Sequence, residues 1–415
     1  MIVALLARAG SQALSVVLLF FLVYNVSFKV LPMATLGRLA VLYLMWEQRL
    51  ILRERINSLA AKHPFMLLTL AALLVHAVIG YLFGGRVDST QMSRQFHFLF
   101  YSIFASYLYA LHLRGNLKMF LCNFAIVCAF QGGMIIYSLF SWEYREWLAS
   151  LVVEGGNYEL TLADRPPGFS NSTGANLSVI QALGVFSSLW VAFGNNPWWA
   201  KVLSVIGAIV AVVSTILVGR TGLMLSTLFV AFYCIRDLGR LRFRSTAVAA
   251  AFVALVVFQG PSLIAYLMEN RGDYLPDFQK MSNWAFEFFI NDGNVYSVYD
   301  LSTMPIPKLT FETLMGTGIV NNGSGNDSGY VQNYYALGLL MSVVFYSVVA
   351  YLCTITWLKS RERFLYLSLI GGVFLVELKE PFMLKYIYLF FIMSQYFLMA
   401  RFANATQEEK QDHPQ

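Results

Sequence analysis

Apolar stretches long enough to cross a lipid bilayer recur along nearly the whole chain, and short polar links separate most of them. A transmembrane helix needs about 20 predominantly apolar residues to span roughly 30 Å of hydrocarbon. We therefore predict an all-α polytopic membrane protein with a single transmembrane domain over residues 1–402. Its spans, about twelve in number, are predicted at residues 11–28, 31–46, 65–84, 96–113, 118–140, 176–194, 200–218, 222–235, 246–266, 333–356, 364–378 and 384–400.

The distribution of basic residues predicts how these spans are oriented. Cytoplasmic links of membrane proteins are enriched in Lys and Arg, and the links at 236–244 and 359–363 concentrate both residue types. This orientation places both termini in the cytoplasm, where residues 403–415 form a polar tail. On the opposite side, segments at about 141–175 and 267–332 are too long to be simple connectors, so we expect them to pack and to carry function.

Composition agrees with a membrane-embedded chain and limits the other interpretations. Of the 415 residues, 58% are hydrophobic and 13% are charged, whereas soluble globular domains carry about 25% charged residues. The net charge of +6 is explained by membrane topology and does not indicate binding to nucleic acid. The external segments contain no Asp-x-Asp, His-x-x-x-His or Glu-x-x-His pair of the kind that holds a metal. We therefore expect neither a metal nor another cofactor.

Three arginines on the predicted external side have an unusual sequence context. Arg165 precedes two prolines and Gly168, which stiffen the chain and allow close backbone approach just before a span begins. Arg220 lies between two apolar runs with almost no loop, and a charge at that depth is a functional candidate. The simpler interpretations are an ion pair of Arg165 with Asp164 and a snorkelling side chain for Arg220. Arg271 has acidic neighbours on both sides, so a solvated salt bridge is its simpler interpretation.

The residue types on this side suit the chemistry of a phosphorylated sugar. A guanidinium presents its N–H donors in a planar fork that matches phosphate oxygens, so two or three converging arginines would bind a diphosphate well. Asp327, close to the start of a span, supplies a carboxylate able to take a proton from a sugar hydroxyl, although it also fits the role of a helix cap. Lys379, between Glu377 and Glu380, either reaches the diphosphate or pairs with these acids.

From about residue 160 to 345 the chain resembles the O-antigen polymerase and ligase family of bacterial envelope enzymes, and most closely the Wzy-type polymerases. Three elements carry this resemblance, and their order and topology are more specific than any one of them. They are an Arg-x-x-Gly loop at 165–168, a Gly-Arg-x-Gly break between two spans at 219–222, and a long external loop that ends in Gly-x-Gly at 316–318 and continues through Asp-Ser-Gly-Tyr at 327–330 to Gly338.

The resemblance implies a GT-C-like glycosyltransferase architecture in the bacterial inner membrane, with an active site that faces the periplasm and works without metal. The implied substrates are undecaprenyl-diphosphate-linked glycans, and membrane lipid and a chain-length regulator are the other candidate partners. Carried over by position, the resemblance makes Arg165, Arg220 and Arg271 the contacts to the diphosphate and the sugar. Together with the residue-based reasoning above, we predict Asp327 and Arg220 as catalytic residues. We predict Arg165, Arg271, Gly168, Lys379 and Tyr330 as substrate-binding residues.

Two other functions remain open alternatives on the sequence. Ligases of the family place a His eleven residues before the glycine that opens the span, whereas this chain has Asp327 at that spacing before Gly338 and no His between His112 and His413. This difference favours a polymerase over a ligase and leaves the identity of the base open. A flippase of lipid-linked oligosaccharide is the second alternative, but the sequence has no detectable two-fold repeat, and its two long aromatic segments lie on one side.

Overall fold

The computed structural model describes residues 2–29, 31–83, 90–152, 168–170, 174–239, 308–317 and 328–411. Of these residues, 84% are helical, because a chain in lipid must pair its backbone N–H and C=O groups within each segment. In the described part, five helices are long and apolar enough to cross a membrane: Leu117–Ser138, Gly174–Phe193, Trp198–Val218, Thr221–Leu238 and Gly329–Lys359. Two shorter apolar helices cover Gly10–Tyr24 and Ile387–Ala400.

These helices agree with the predicted all-α membrane protein. The count of about twelve spans and the GT-C-like architecture stay predictions, and the span predicted at 246–266 lies outside the described residues. In chain order the helices are α1 (Ile2–Tyr24), α2 (Leu36–Glu47), α3 (Leu52–Lys62), α4 (Pro64–Phe83), α5 (Thr90–His97), a π-helical segment (Phe98–Ala105), α6 (Ser106–His112), α7 (Leu117–Phe140), α8 (Trp142–Leu151), α9 (Gly174–Phe193), α10 (Trp198–Val218), α11 (Arg220–Gly239), α12 (Phe311–Met315), α13 (Gly329–Lys359), α14 (Arg363–Glu377) and α15 (Ile387–Gln411).

The chain divides into two compact units. The first unit comprises Met1–Leu42 and Asn116–Gly293, and the second comprises Tyr43–Gly115 and Asn294–Gln415. In each unit the described helices come from sequence segments that are far apart, so both units depend on long-range packing. The single transmembrane domain over residues 1–402 stays a prediction.

Helix α9 is the centre of the first unit, and it packs against α7, α10 and α11. Almost all of its side chains are buried, as expected for a helix that is apolar all round. A methyl group at Gly184 would lie 2.3 Å from Cβ of Cys128 on α7, so the absence of a side chain lets these two helices approach closely. Inside the same core, Gln181 donates a hydrogen bond to the hydroxyl of Tyr24 at 3.1 Å.

The start of the first unit differs from the sequence prediction. We predicted two adjoining spans at 11–28 and 31–46, but α1 ends at Tyr24, and a β-hairpin of strands β1 (Ser27–Phe28) and β2 (Leu31–Thr35) follows it. Helix α2 is then only 12 residues long, or about 18 Å, which is too short to cross the hydrocarbon. The prediction was wrong because a short apolar run does not by its hydropathy distinguish strand from helix.

The hairpin is held at its tip by the end of α8. Phe28 forms a β-bridge with Val152, and the N–H of Lys29 donates to the carbonyl of Leu151 at 2.8 Å. These contacts satisfy backbone groups that a strand at the edge of a two-stranded sheet would otherwise expose. The start of the chain is thereby fixed to the end of α8.

Helices α13 and α15 form the core of the second unit. Helix α13 is interrupted at Gly338, whose φ of 77° and ψ of 168° are not helical. Residues 387–398 of α15 are all buried, and α15 packs against α6, α13 and the π-helical segment. The predicted polar tail at 403–415 begins inside α15, because this helix continues to Gln411.

Candidate functional site

The Gly-Arg-x-Gly motif forms a tight joint against α9. Gly219 separates α10 from α11, and a methyl group at this position would lie 2.7 Å from Oγ of Ser178. At Gly222 a methyl group would lie 2.2 Å from the carbonyl oxygen of Ser178, and the N–H of Gly222 donates to Oγ of Ser178 at 3.1 Å. Only glycine therefore allows the turn to lie this close to α9. Both glycines of the motif are explained by this contact.

Arg220 is the first residue of α11, directly inside this joint. The N-terminus of a helix carries a partial positive charge, so a cation there does not stabilise the helix. Helix energetics thus give no reason for an arginine at this position. A bound anion, by contrast, would be attracted both by a guanidinium and by the partial positive charge of the helix N-terminus.

The Arg-x-x-Gly motif also leads to a close contact, in this case with α7. Gly168 is buried, and a methyl group there would lie 2.1 Å from Nε2 of Gln131 and 2.9 Å from Cγ1 of Ile135. The N–H of Phe169 donates to Oε1 of Gln131 at 3.2 Å. Gln131 therefore fixes the backbone three residues after Arg165.

Gln131 is a site residue that sequence reasoning missed. It lies in the predicted span 118–140 and is completely buried. Its Nε2 atom has no hydrogen-bond partner among the described residues. The available signal was a long amide side chain in an otherwise apolar run, because polar residues at membrane depth are costly and usually have a specific role.

Arg145 is a buried basic residue that contacts α7, the helix that also contacts Gly168. It lies on α8, which begins after Ser141, whose Oγ caps the helix by accepting from the N–H of Tyr144 at 3.1 Å. The side chain of Arg145 is fully buried, and its Nε donates to the carbonyl of Ser138 on α7. Burial lowers the pKa of Arg145 to about 10, so the guanidinium stays charged at neutral pH. Ser138 is one helical turn after Ile135, the residue that contacts Gly168.

The third motif forms a joint in the second unit. Gly316 and Gly338 both have positive φ, 88° and 77°, and a methyl group on Gly338 would lie 2.4 Å from the backbone nitrogen of Gly316. The break in α13 frees the carbonyl of Tyr335, which accepts from both the N–H and the Oγ1 of Thr317, at 2.9 Å and 3.1 Å. The backbone of Gly316 and Thr317 therefore docks onto the broken helix.

The start of α13 bears on the role of Asp327. Helix α13 begins at Gly329 with Ser328 at the N-cap position, so Asp327 is one residue before the position from which Asp side chains usually cap helices. Tyr330 donates its hydroxyl hydrogen to the carbonyl of Phe374 at 3.1 Å. This hydroxyl is therefore held by the protein, and the partly exposed ring is what Tyr330 offers to a ligand.

A buried carboxylate lies next to this helix start. Glu377 is completely buried, and its oxygens accept hydrogen bonds from Nδ2 of Asn333 at 2.9 Å, from the hydroxyl of Tyr346 at 3.2 Å and from the N–H of Met383 at 2.8 Å. The sequence suggested only a pairing of this acid with the nearby Lys379. The structure instead connects it to residues 31 and 44 positions away along the chain.

The remaining predicted residues have different outcomes. Lys379 is in a turn after α14 and is partly buried. Nearby, Lys385 forms an ion pair with Glu380. Arg165, Arg271 and Asp327 lie outside the described residues, and of Arg220 only the backbone is described. Among the described residues, no group of three or more His, Cys, Asp or Glu is placed to hold a metal ion.

Comparisons with family models, with curated proteins and with solved structures give no match to the chain. The interpretation of the site therefore depends on its residues and their geometry.

Proposed function

We propose that the chain is a membrane glycosyltransferase that polymerises undecaprenyl-diphosphate-linked repeat units into a surface polysaccharide such as O-antigen. The reaction takes place on the periplasmic side of the bacterial inner membrane and needs no metal. This function belongs to the family that the three sequence motifs resemble.

The observation that best supports the proposal is that the Gly-Arg-x-Gly joint packs against the first turns of α9. The joint contacts Ser178, and a methyl group at Gly219 would also lie 3.3 Å from the carbonyl oxygen of Gly174, the first residue of α9. In the sequence, the Arg165 segment precedes this helix. A glycine joint that holds the backbone of Arg220 at this helix end fits a site for a diphosphate.

The proposed mechanism is a single displacement. The guanidinium groups of Arg165, Arg220 and Arg271 bind the diphosphate of the growing lipid-linked glycan and stabilise the negative charge that develops as the anomeric C–O bond to the diphosphate breaks. Asp327 or a neighbouring residue accepts the proton of the acceptor hydroxyl on an incoming lipid-linked repeat unit. The acceptor oxygen forms the new bond to the anomeric carbon with inversion, and undecaprenyl diphosphate leaves.

Substitution at position 220 tests this function in cells. We expect Arg220→Ala, expressed in cells whose own copy is deleted, to abolish the ladder of long polysaccharide and leave single repeat units at the surface. Arg220→Lys should retain a small part of the ladder, because an ammonium keeps the charge but not the fork of donors. The matched control is Arg361→Ala, which changes an exposed arginine in a predicted cytoplasmic link and should leave the ladder unchanged.

The same experiment separates the alternatives. Repeat units trapped on the cytoplasmic leaflet in Arg220→Ala cells would indicate a flippase, and a normal ladder that is no longer attached to its final acceptor would indicate a ligase. For a direct test, we expect the purified chain in chelator to lengthen undecaprenyl-diphosphate-linked repeat units extracted from the deletion cells. Failure of the wild-type chain to lengthen them would refute the proposal.

A further inference from the structure

The Glu377 carboxylate connects both halves of the broken helix α13. Asn333 is in the part of α13 before the break at Gly338 and Tyr346 is in the part after it, and both donate to Oε1 of Glu377. Nδ2 of Asn333 also donates to the hydroxyl of Tyr346 at 3.0 Å. These three side chains therefore fix the angle between residues 329–337 and the rest of α13.

Glu377 also contacts the first turn of α13. A methyl group at Gly329 would lie 2.5 Å from Oε1 of Glu377 and 2.7 Å from Cα of Pro381, so the helix start is pressed against the carboxylate. The second carboxylate oxygen, Oε2, accepts from the N–H of Met383, which ties the helix start to the turn after α14.

This arrangement is not explained by stability alone. Removing a carboxylate from water is costly, and apolar residues of similar volume are often at least as stabilising as a buried charged group. Glu377 is also unsuited to act as the base, because it has no exposed surface and three donors already occupy its oxygens. A buried carboxylate with this set of donors is suited to specify one geometry.

We infer that Glu377 is a positioning residue that sets the orientation of residues 328–330 at the start of α13. The inference rests on the proposed function for the role of Asp327. Ser328 and Gly329 follow Asp327 directly in the chain, and Glu377 contacts the helix turn that begins there. A change at Glu377 should thus act on turnover more than on binding of the lipid-linked substrate.

A swap of the hydrogen-bonding pair provides the test. In Glu377→Gln, the side-chain N–H₂ group faces another hydrogen-bond donor, either Nδ2 of Asn333 or the N–H of Met383. Asn333→Asp in the same chain replaces the donor at position 333 with an acceptor and so restores the hydrogen bond. With undecaprenyl-diphosphate-linked repeat units extracted from the deletion cells, we expect Glu377→Gln to lower kcat about tenfold or more and to change KM by less than about threefold. The double variant should recover kcat to within about threefold of wild type.

Glu54→Gln is the matched control, because Glu54 is an exposed glutamate of the same unit, and its kcat should equal that of wild type. A wild-type kcat in Glu377→Gln, or a double variant no more active than Glu377→Gln, would overturn the inference. If Glu377→Gln fails to fold, Tyr346→Phe replaces it, since it removes one hydrogen bond to Oε1 and keeps the charge. We then expect a kcat about threefold below wild type, and an unchanged kcat would overturn the inference.

A second measurement keeps the inference separate from the proposed function. In a chain whose four native cysteines are replaced by alanine, Asp327→Cys is labelled with a membrane-impermeant maleimide. We expect Glu377→Gln to change the labelling rate at least threefold and Asn333→Asp to restore it. Equal labelling rates in all three chains would overturn the positioning role, even if the protein is a polymerase. A wild-type chain that makes no polymer but shows the expected labelling would refute the polymerase proposal and leave the positioning role intact.

Discussion

Replacing Gly222 by alanine should separate α11 from α9 and weaken both folding and activity. The added methyl group would lie 2.2 Å from the carbonyl oxygen and 2.4 Å from the carbonyl carbon of Ser178. Since ordinary contacts begin near 3.4 Å, the two backbones must move apart by roughly 1 Å. Both atoms belong to the backbone, so no change of side-chain rotamer relieves the clash.

The expected cost follows from these distances. Overpacking of this kind costs about 1–3 kcal/mol, and the hydrogen bond from Gly222 to Oγ of Ser178 contributes about 1 kcal/mol more. Because Arg220 begins the same helix, a displacement of about 1 Å should also reduce polymer formation by up to about a hundredfold. The measurements are the midpoint of thermal unfolding in detergent and the polysaccharide ladder in cells.

Two matched variants make this reasoning specific. Gly133→Ala adds the same methyl group on α7, where nothing lies within 4 Å, and it should leave the unfolding midpoint unchanged or raise it slightly. Gly219→Ala clashes mainly with Oγ of Ser178, at 2.7 Å, so Ser178→Ala should partly rescue Gly219→Ala but not Gly222→Ala. An unfolding midpoint for Gly222→Ala equal to that of Gly133→Ala would refute the proposed joint.

Three further predictions concern other contacts. Gly168→Ala should reduce polymer formation and lower the unfolding midpoint, because its methyl group meets Nε2 of Gln131 at 2.1 Å, and Gln131→Ser should partly restore both by making room. Gly338→Ala should destabilise the chain by at least about 2 kcal/mol, since φ of 77° suits glycine and the methyl group meets the backbone of Gly316. Burial and two nearby lysines lower the pKa of His63, so its contribution to stability is present above pH 6.5 and is lost as pH falls from 6.5 towards the folded-state pKa.

Each of these predictions has a result that contradicts it. A double variant at positions 168 and 131 no better than Gly168→Ala would show that the amide is not the obstacle. For Gly338→Ala the control is Gly371→Ala, which meets nothing within 4 Å, and equal unfolding midpoints would disprove the joint. The unfolding midpoint of His63→Gln should depend less on pH below 6.5 than that of wild type, and identical pH profiles would reject the role of His63.

The sequence predicted the helical membrane character because hydropathy reports it directly. Apolar runs of about 20 residues have one stable backbone arrangement in lipid, and this constraint does not depend on distant contacts. The hairpin at 27–35 and the break at Gly338 were beyond such reasoning. Both depend on backbone contacts with residues that are distant in sequence. The hairpin contacts the end of α8, and the break contacts Gly316.

The residue types of the candidate site were predictable from the sequence, but the packing contacts that hold its backbone were not. Glycines beside Arg165 and Arg220 are visible in the sequence, whereas their contacts with Gln131 and Ser178 are not. Glu377 shows the same limit, because its partner Asn333 lies 44 positions away. Pairing an acid with the nearest basic residue in sequence is a reasonable first expectation, and in a packed helical core it often fails.

A common design connects the three motifs, and it leads to a last prediction. In each motif a charged residue stands within three positions of a glycine that is packed tightly against another element: Arg165 near Gly168, Arg220 beside Gly219 and Gly222, and Asp327 near Gly329. The glycines fix the backbone through these contacts, so we expect that packing does not require the charged side chains.

Substitutions within one motif should therefore separate stability from activity. Arg220→Ala should abolish polymer formation while the unfolding midpoint stays within about a degree of wild type, because the contacts that hold this joint are those of Gly219 and Gly222 with Ser178. Gly222→Ala should lower both. If Arg220→Ala lowered the unfolding midpoint as much as Gly222→Ala does, Arg220 would be part of the packing, and its assignment to the diphosphate would lose its physical basis.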